Sequence, residues 1–348
     1  MGFVYLALLA FVPLAIGASF AGVSPVVVFF LAAISVLPLA KFIGESTEEL
    51  SSRTSPAIGG LLNATFGNAT ELIIGIFALK AGLIEVVKAS IAGSVIGSLL
   101  LVLGLAMFWG GWGRDKQTFN KTGILAQSST LFLATIALIV PAIFFETGAG
   151  AAVATVQNLS LLVSLVLIGM YGASLFFSLY THKHLYREEV GEFLPRWSTG
   201  RAVATLIVAT AAVAWVSDIL VSSIEPLLAQ LGWSQLFVGV IFVAVIGNAA
   251  EHITAVSVAR RNRMDLALQI AIGSATQMVL IVAPILVLLG VFFGQPMNLI
   301  FNSFELVATV LAVVIVNFIV QDGESNWLEG LQLLAAYAIM AIAFFLHR

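Results

Sequence analysis

Two short stretches of this 348-residue chain place acids and amides inside long apolar runs. The first is Gly67-Asn68-Ala69-Thr70-Glu71 and the second is Gly247-Asn248-Ala249-Ala250-Glu251. A charged carboxylate at a bilayer centre costs roughly 2.5–3.5 kcal/mol on insertion scales, so such an acid is a functional-site hypothesis by default. On a helix, Asn68 and Glu71 are three residues apart and share a face, and Asn248 and Glu251 do the same. Brought together, the pairs would offer two carboxylates and two amide carbonyls. Hard divalent cations such as Ca2+ take about six to eight oxygen ligands. Ser94, Ser98, Ser274 and Gln277 stand on the segments that follow each motif and could add to the set. Gly67, Gly93, Gly97, Gly247 and Gly273 are expected to let helices approach closely around it.

The chemistry of such a pair follows from its charge. Two ionised glutamates in an empty, water-poor site repel each other. One divalent cation or two protons relieves that repulsion, and both fillings use the same oxygens. Competition at one site that opens to alternate sides of a membrane is sufficient for antiport.

The elements that would position these residues are read from a repeat and from composition. Glu71 and Glu251 stand 180 positions apart, and the same offset relates Gly93-Ser94 to Gly273-Ser274 and Gly59 to Gly239. A fixed offset held at separate points indicates an internal duplication. Hydrophobic residues make up 60% of the chain and charged residues 9%, against about 25% charged in a soluble domain. The expected class is an all-α polytopic membrane protein, in contact with the lipid bilayer. The chain has no cysteine, which excludes thiol catalysis and thiolate metal ligation.

Apolar runs of spanning length are expected near residues 3–20, 23–44, 57–80, 86–108, 122–145 and 156–180. After a polar stretch, further runs follow near 201–228, 235–260, 266–293, 299–320 and 327–346. Eleven transmembrane helices result. They divide into an extra N-terminal helix (1–22), a first five-helix repeat (23–181), a polar linker (182–200) and a second five-helix repeat (201–348). With the N-terminus cytoplasmic, twelve Lys and Arg residues fall on inner loops. Only Lys80, Lys88 and Arg348 fall outside. The C-terminus then lies on the opposite side. An odd number of helices per repeat makes the repeats inverted, a transporter plan with the substrate site at the midplane between them.

Gly59-Gly60-Leu61-Leu62-Asn63-Ala64-Thr65-Phe66-Gly67-Asn68-Ala69-Thr70-Glu71 resembles the first signature of the calcium/proton exchanger family. The stretch from Gly239 to His252 resembles the second. Gly273-Ser274-Ala275-Thr276-Gln277 and the run from Gln321 to Gly330 are similar to further family motifs. The resemblance covers nearly the whole chain. It implies eleven helices in two inverted repeats, exchange of Ca2+ for H+, and Glu71 and Glu251 as the central metal and proton ligands. Ser98 stands where family members often carry an asparagine.

Other polar residues divide into entrances and scaffold. Glu45, Glu48 and Glu49 follow the second helix, and Asp218 and Glu225 hold a similar place on the seventh. These acids could draw cations to an entrance on each side. Glu305 is expected to serve as a polar partner within the scaffold, and His252 to make a structural hydrogen bond. His182 and His184 lack further zinc ligands. Asp322, Glu324 and Glu329 are expected to cap an inner loop. No His-Glu-x-x-His metalloprotease motif occurs, and nothing in the chain calls for a catalytic residue, an organic cofactor or a nucleic-acid partner. A sodium-coupled calcium exchanger and a cation channel remain alternatives that could use the same glutamates.

Overall fold

A computed structural model describes residues 2–148, 153–182 and 195–347. Most of the linker expected at 182–200, including His184, lies outside the described residues. Through the first half the helices run α1 (Gly2–Leu8), α2 (Phe11–Phe20), α3 (Pro25–Ser51), α4 (Pro56–Phe66), α5 (Ala69–Lys80) and α6 (Ile84–Ile96). They continue with α7 (Leu103–Gly111), α8 (Lys121–Glu146) and α9 (Val153–Phe176). The second half holds α10 (Thr199–Ser222), α11 (Ile224–Leu231), α12 (Gln235–Phe237), α13 (Ala244–Gly247) and α14 (Ala249–Arg260). It ends with α15 (Met264–Gln277), α16 (Ala283–Phe292), α17 (Ser303–Ile319) and α18 (Trp327–Leu346).

Among the described residues, seven continuous helical stretches are long and apolar enough to span a membrane, or eight if the bent pair Gln235–Gly247 and Ala249–Arg260 is one span. Tyr5–Phe20 and Ser303–Ile319 are shorter apolar helices. Local chemistry sets many boundaries. Pro25 and Pro56 occupy first helical positions, where a missing N–H costs nothing. Asn302 with Glu305 and Asn326 with Glu329 form capping boxes at α17 and α18.

Four expectations need correction. The N-terminal helix is divided at residues 9–10, because Pro13 cannot donate to the carbonyl of Leu9. The third helix is not continuous: it stops at Phe66 and restarts at Ala69. The eighth breaks at Asn248 and bends there by 61°. A small antiparallel pair interrupts the all-α reading, with Gln117 opposite Ser325 and Thr118 opposite Glu324.

The duplication survives in element boundaries. α5 and α14 begin and end 180 positions apart, and α6 and α15 begin with that offset. π-helical segments follow at corresponding places, Gly97–Val102 and Met278–Val282. The turn after α5 uses Gly82 at φ 78°, and the turn after α14 uses Asn262 at φ 62°. Asparagine is among the few side chains that tolerate this left-handed geometry.

The chain forms two compact units that interleave in sequence. The first comprises the described residues of 1–82, 172–234 and 246–250. Its core is the packing of α3 along α10, with α2, α4, α5 and α11 against that pair. Phe29, Ala32 and Val36 on α3 and Val213, Val216 and Leu220 on α10 are buried at the same helical spacing. The second unit comprises the described residues of 83–171, 235–245 and 251–347. There α6 lies against the π-helical segment Val238–Val243, and α7 against α18. A Cβ on Gly239 would stand 2.5 Å from that of Ala89, and one on Gly111 would stand 2.7 Å from the Trp327 nitrogen. Only glycine allows these backbones to approach so closely.

Candidate cation site

The helix breaks fall on the motifs. Glu71 is in the first turn of α5 and Glu251 in the first turn of α14. Unpaired N–H groups at a helix start favour negative charge, which suits an ionised carboxylate there. The last carbonyls of a helix likewise lack intrahelical partners. The break after Phe66 therefore leaves carbonyl oxygens close in sequence to Glu71. Discontinuous helices with this arrangement recur at ion sites in transporters. Asn68 occupies the N-cap position of α5, but its side chain makes no capping bond to that helix.

The first unit brings parts of both motifs together. Gly247 sits against Glu71, close enough that a Cβ on Gly247 would lie 2.8 Å from Glu71 Cγ. Asn68, Thr70, Glu71 and Asn248 are all buried. Thr70 was not singled out by its type or spacing, since its counterpart is Ala250. Within this unit the contact between the motifs is glycine backbone against carboxylate stem.

The second unit holds the serine and glutamine candidates. Ser98 Oγ lies 3.4 Å from Ser274 Oγ. Glu251 is hydrogen-bonded to the Ser274 side chain, and its Oε2 is buried without a hydrogen-bond partner. Ser94 is buried as well. Gln277 ends α15 next to the π-helical segment Met278–Val282, and Ser98 lies in the one at Gly97–Val102. Such π segments are frequent at functional sites.

The glycines divide. Gly93 meets the Val240 backbone and Gly247 meets Glu71, as close packing requires. Gly97 has open space where a side chain would stand, and Gly273 has only the Gln127 amide at 3.5 Å. Those two do not bring helices together.

The acids expected at entrances also divide. Glu48, Asp218 and Glu225 are exposed, and Glu45 pairs with Lys41 at 3.5 Å. Glu49 does not act as an exposed acid. It is buried, and its carboxylate accepts the backbone N–H groups of Arg196 and Trp197 at 3.0–3.1 Å. Lys88, counted as an outer basic residue, is buried too and donates to Asn298 Oδ1 at 2.9 Å and Ile300 O at 2.8 Å. His252 is enclosed, with its Nε2 buried and without a hydrogen-bond partner.

Comparison with known proteins gives the site a context. The sequence profile described as sodium/calcium exchanger protein matches residues 24–180 and 201–346, one stretch in each half. The chain is 47% identical to a Ca(2+)/H(+) antiporter of Synechocystis, covering 99% of this chain and 97% of that protein. It is 46% identical to the Ca(2+)/H(+) antiporter ChaA of Bacillus subtilis, with 96% of each covered. The solved structure of native YfkE superposes with a TM-score of 0.87 at 43% identity, covering 99% of both chains.

Proposed function

We propose, from the premise that this chain belongs to the sodium/calcium exchanger protein family, that it is a secondary active antiporter exchanging Ca2+ for H+ by alternating access. Its apolar helices and family make it an integral, multi-pass membrane protein. The observation that carries the site assignment is the seating of Gly247, from the second motif, on Glu71 from the first. The names of relatives at 46–47% identity over nearly the full chain support the choice of ions.

On this reading Glu71 and Glu251 bind the transported Ca2+ and, in the return step, the protons that replace it. Asn68 and Asn248 supply amide carbonyls, and Ser94, Ser98, Ser274 and Gln277 complete the polar lining. Gly67 and Gly247 set the breaks that aim the carboxylates. The breaks support this assignment, because a broken span exposes backbone oxygens that an unbroken helix would consume. Counting the two broken spans and the two shorter apolar helices as crossings gives eleven. Two inverted five-helix repeats would then surround the site, with the N-terminus cytoplasmic. Glu45, Glu48, Asp218 and Glu225 would raise the local cation concentration at the openings.

The test is uptake of 45Ca2+ into proteoliposomes with imposed pH and sodium gradients. Uptake driven by a proton gradient, with reciprocal proton release, is the expected result. Uptake that follows a sodium gradient alone would assign sodium-coupled exchange. Calcium flux uncoupled from either gradient would assign a channel.

A further inference from the structure

We infer that Gln127, on α8, is a further cation ligand at the Glu251 half of the site, contributing its side-chain carbonyl. This inference rests on the assignment of Glu251 to the cation site. Gln127 Oε1 is buried and has no hydrogen-bond partner. A buried acceptor left unsatisfied costs roughly 1–3 kcal/mol. A carbonyl oxygen in that position is also the kind of ligand that hard divalent cations use.

Its placement connects it to the site. The Gln127 amide nitrogen is 3.5 Å from where a Cβ on Gly273 would stand, so the side chain lies on α15 at the residue before Ser274. Ser274 in turn is hydrogen-bonded to Glu251 and lies 3.4 Å from the Ser98 hydroxyl. Glu251 Oε2 is the second buried oxygen of this group without a hydrogen-bond partner. Gly97, beside Ser98 in the chain, is buried yet faces open space. Two buried oxygens without hydrogen-bond partners thus stand on side chains linked through Gly273 and Ser274, and such oxygens suit a cation better than an apolar filling.

The repeat makes Gln127 specific to this half. α8 and α17 begin 182 positions apart, each behind an asparagine cap, which sets Gln127 opposite Thr309, a hydroxyl in place of an amide. The counterpart of Gln277 in the first repeat is Gly97. Both side-chain amides therefore belong to the Glu251 side, and the two halves of the site are chemically unequal. Gly273 has a corresponding role: its counterpart Gly93 admits a backbone, whereas Gly273 leaves space for the Gln127 amide.

The experiment compares Gln127→Leu, Gln127→Glu and Glu251→Gln with the unaltered full-length protein in proteoliposomes. Thermal stability is measured on each. Loss of one carbonyl ligand should raise the Ca2+ KM of Gln127→Leu about tenfold, with the maximal rate changed less than about twofold. Gln127→Glu should keep transport and make the KM depend more steeply on pH, since one more carboxylate then binds either Ca2+ or a proton. An unchanged KM in Gln127→Leu, with an unchanged pH profile in Gln127→Glu, overturns the inference. So does a loss of maximal rate and stability in both variants without a KM shift, which is the mark of a packing role. Exchange that persists in Glu251→Gln would refute the underlying site assignment instead, whichever way Gln127 behaves.

Discussion

The contact between Gly247 and Glu71 gives the sharpest test of the site. A methyl group added at Gly247 would stand 2.8 Å from Glu71 Cγ. Ordinary contact between carbons requires about 3.5–4.0 Å, so the glutamate stem or the α13 backbone must retreat by roughly 1 Å. The Cγ is not a free chain end, and its displacement carries the carboxylate with it. Overpacking of this kind costs typically 1–3 kcal/mol, and metal–ligand distances tolerate only about 0.2 Å. If most of that cost falls on the ion-bound state, Gly247→Ala should raise the Ca2+ KM by roughly 5- to 150-fold. The fitting control is Gly169→Ala, in the interior of α9, where the added methyl meets nothing within 4 Å. There alanine should leave transport unchanged and, if anything, favour the helix by about 0.5–1 kcal/mol. Calcium-dependent proton release in proteoliposomes measures both KM values. A Gly247→Ala protein with unaltered KM and thermal stability would refute the claim that Glu71 coordinates the ion from this position.

Glu71→Gln and Glu251→Gln should each abolish exchange while the purified protein still unfolds cooperatively, because glutamine keeps the shape and loses the exchangeable charge; normal calcium-driven proton flux in either would contradict the two-glutamate site. Calcium binding to the unaltered protein should weaken as pH falls from about 8 to 5, since protons and Ca2+ compete for the same carboxylates, with a limiting slope of about two protons per ion. A pH-independent affinity by titration calorimetry would instead indicate separate sites. Glu49→Gln should lower thermal stability by the equivalent of about 1–3 kcal/mol, because an amide cannot accept all three bonds from Arg196 and Trp197. Faster proteolysis near Arg196 should accompany it, and unchanged stability and proteolysis would show that the clamp does not hold this segment.

The motifs were legible because the duplication wrote them twice. Helix extents were legible for the same reason that membrane proteins reveal them generally: a spanning helix needs a long apolar run. The breaks at Gly67–Asn68 and Asn248 were not, because the apolar pattern continues through them without a proline. A glycine followed by asparagine was the available signal, and both residues favour leaving the helix. Glu49 was misplaced because a cluster of three acids reads as a solvated end. Its partners at Arg196 and Trp197 are about 150 residues away, and only the fold brings them together. Lys88 was counted by its charge, although its ammonium is enclosed by a segment that enters more than 200 residues later. Gln127 gave no signal, since it stands outside the duplicated motifs and its counterpart by helix start, Thr309, is not an amide.

The interleaving of the two units constrains how the protein can be made. Glu71 belongs to a unit that includes Gly247 and Asn248, and α3 belongs with α10. A ribosome adding about 5–20 residues per second needs roughly 10–35 s to travel from the first motif to the second. Throughout that interval, on the proposed topology, the nascent chain holds Glu71 without the Gly247 and Asn248 that complete its unit. The first unit can be completed only after the chain has passed residue 250, so neither half of the sequence contains all the segments of that unit.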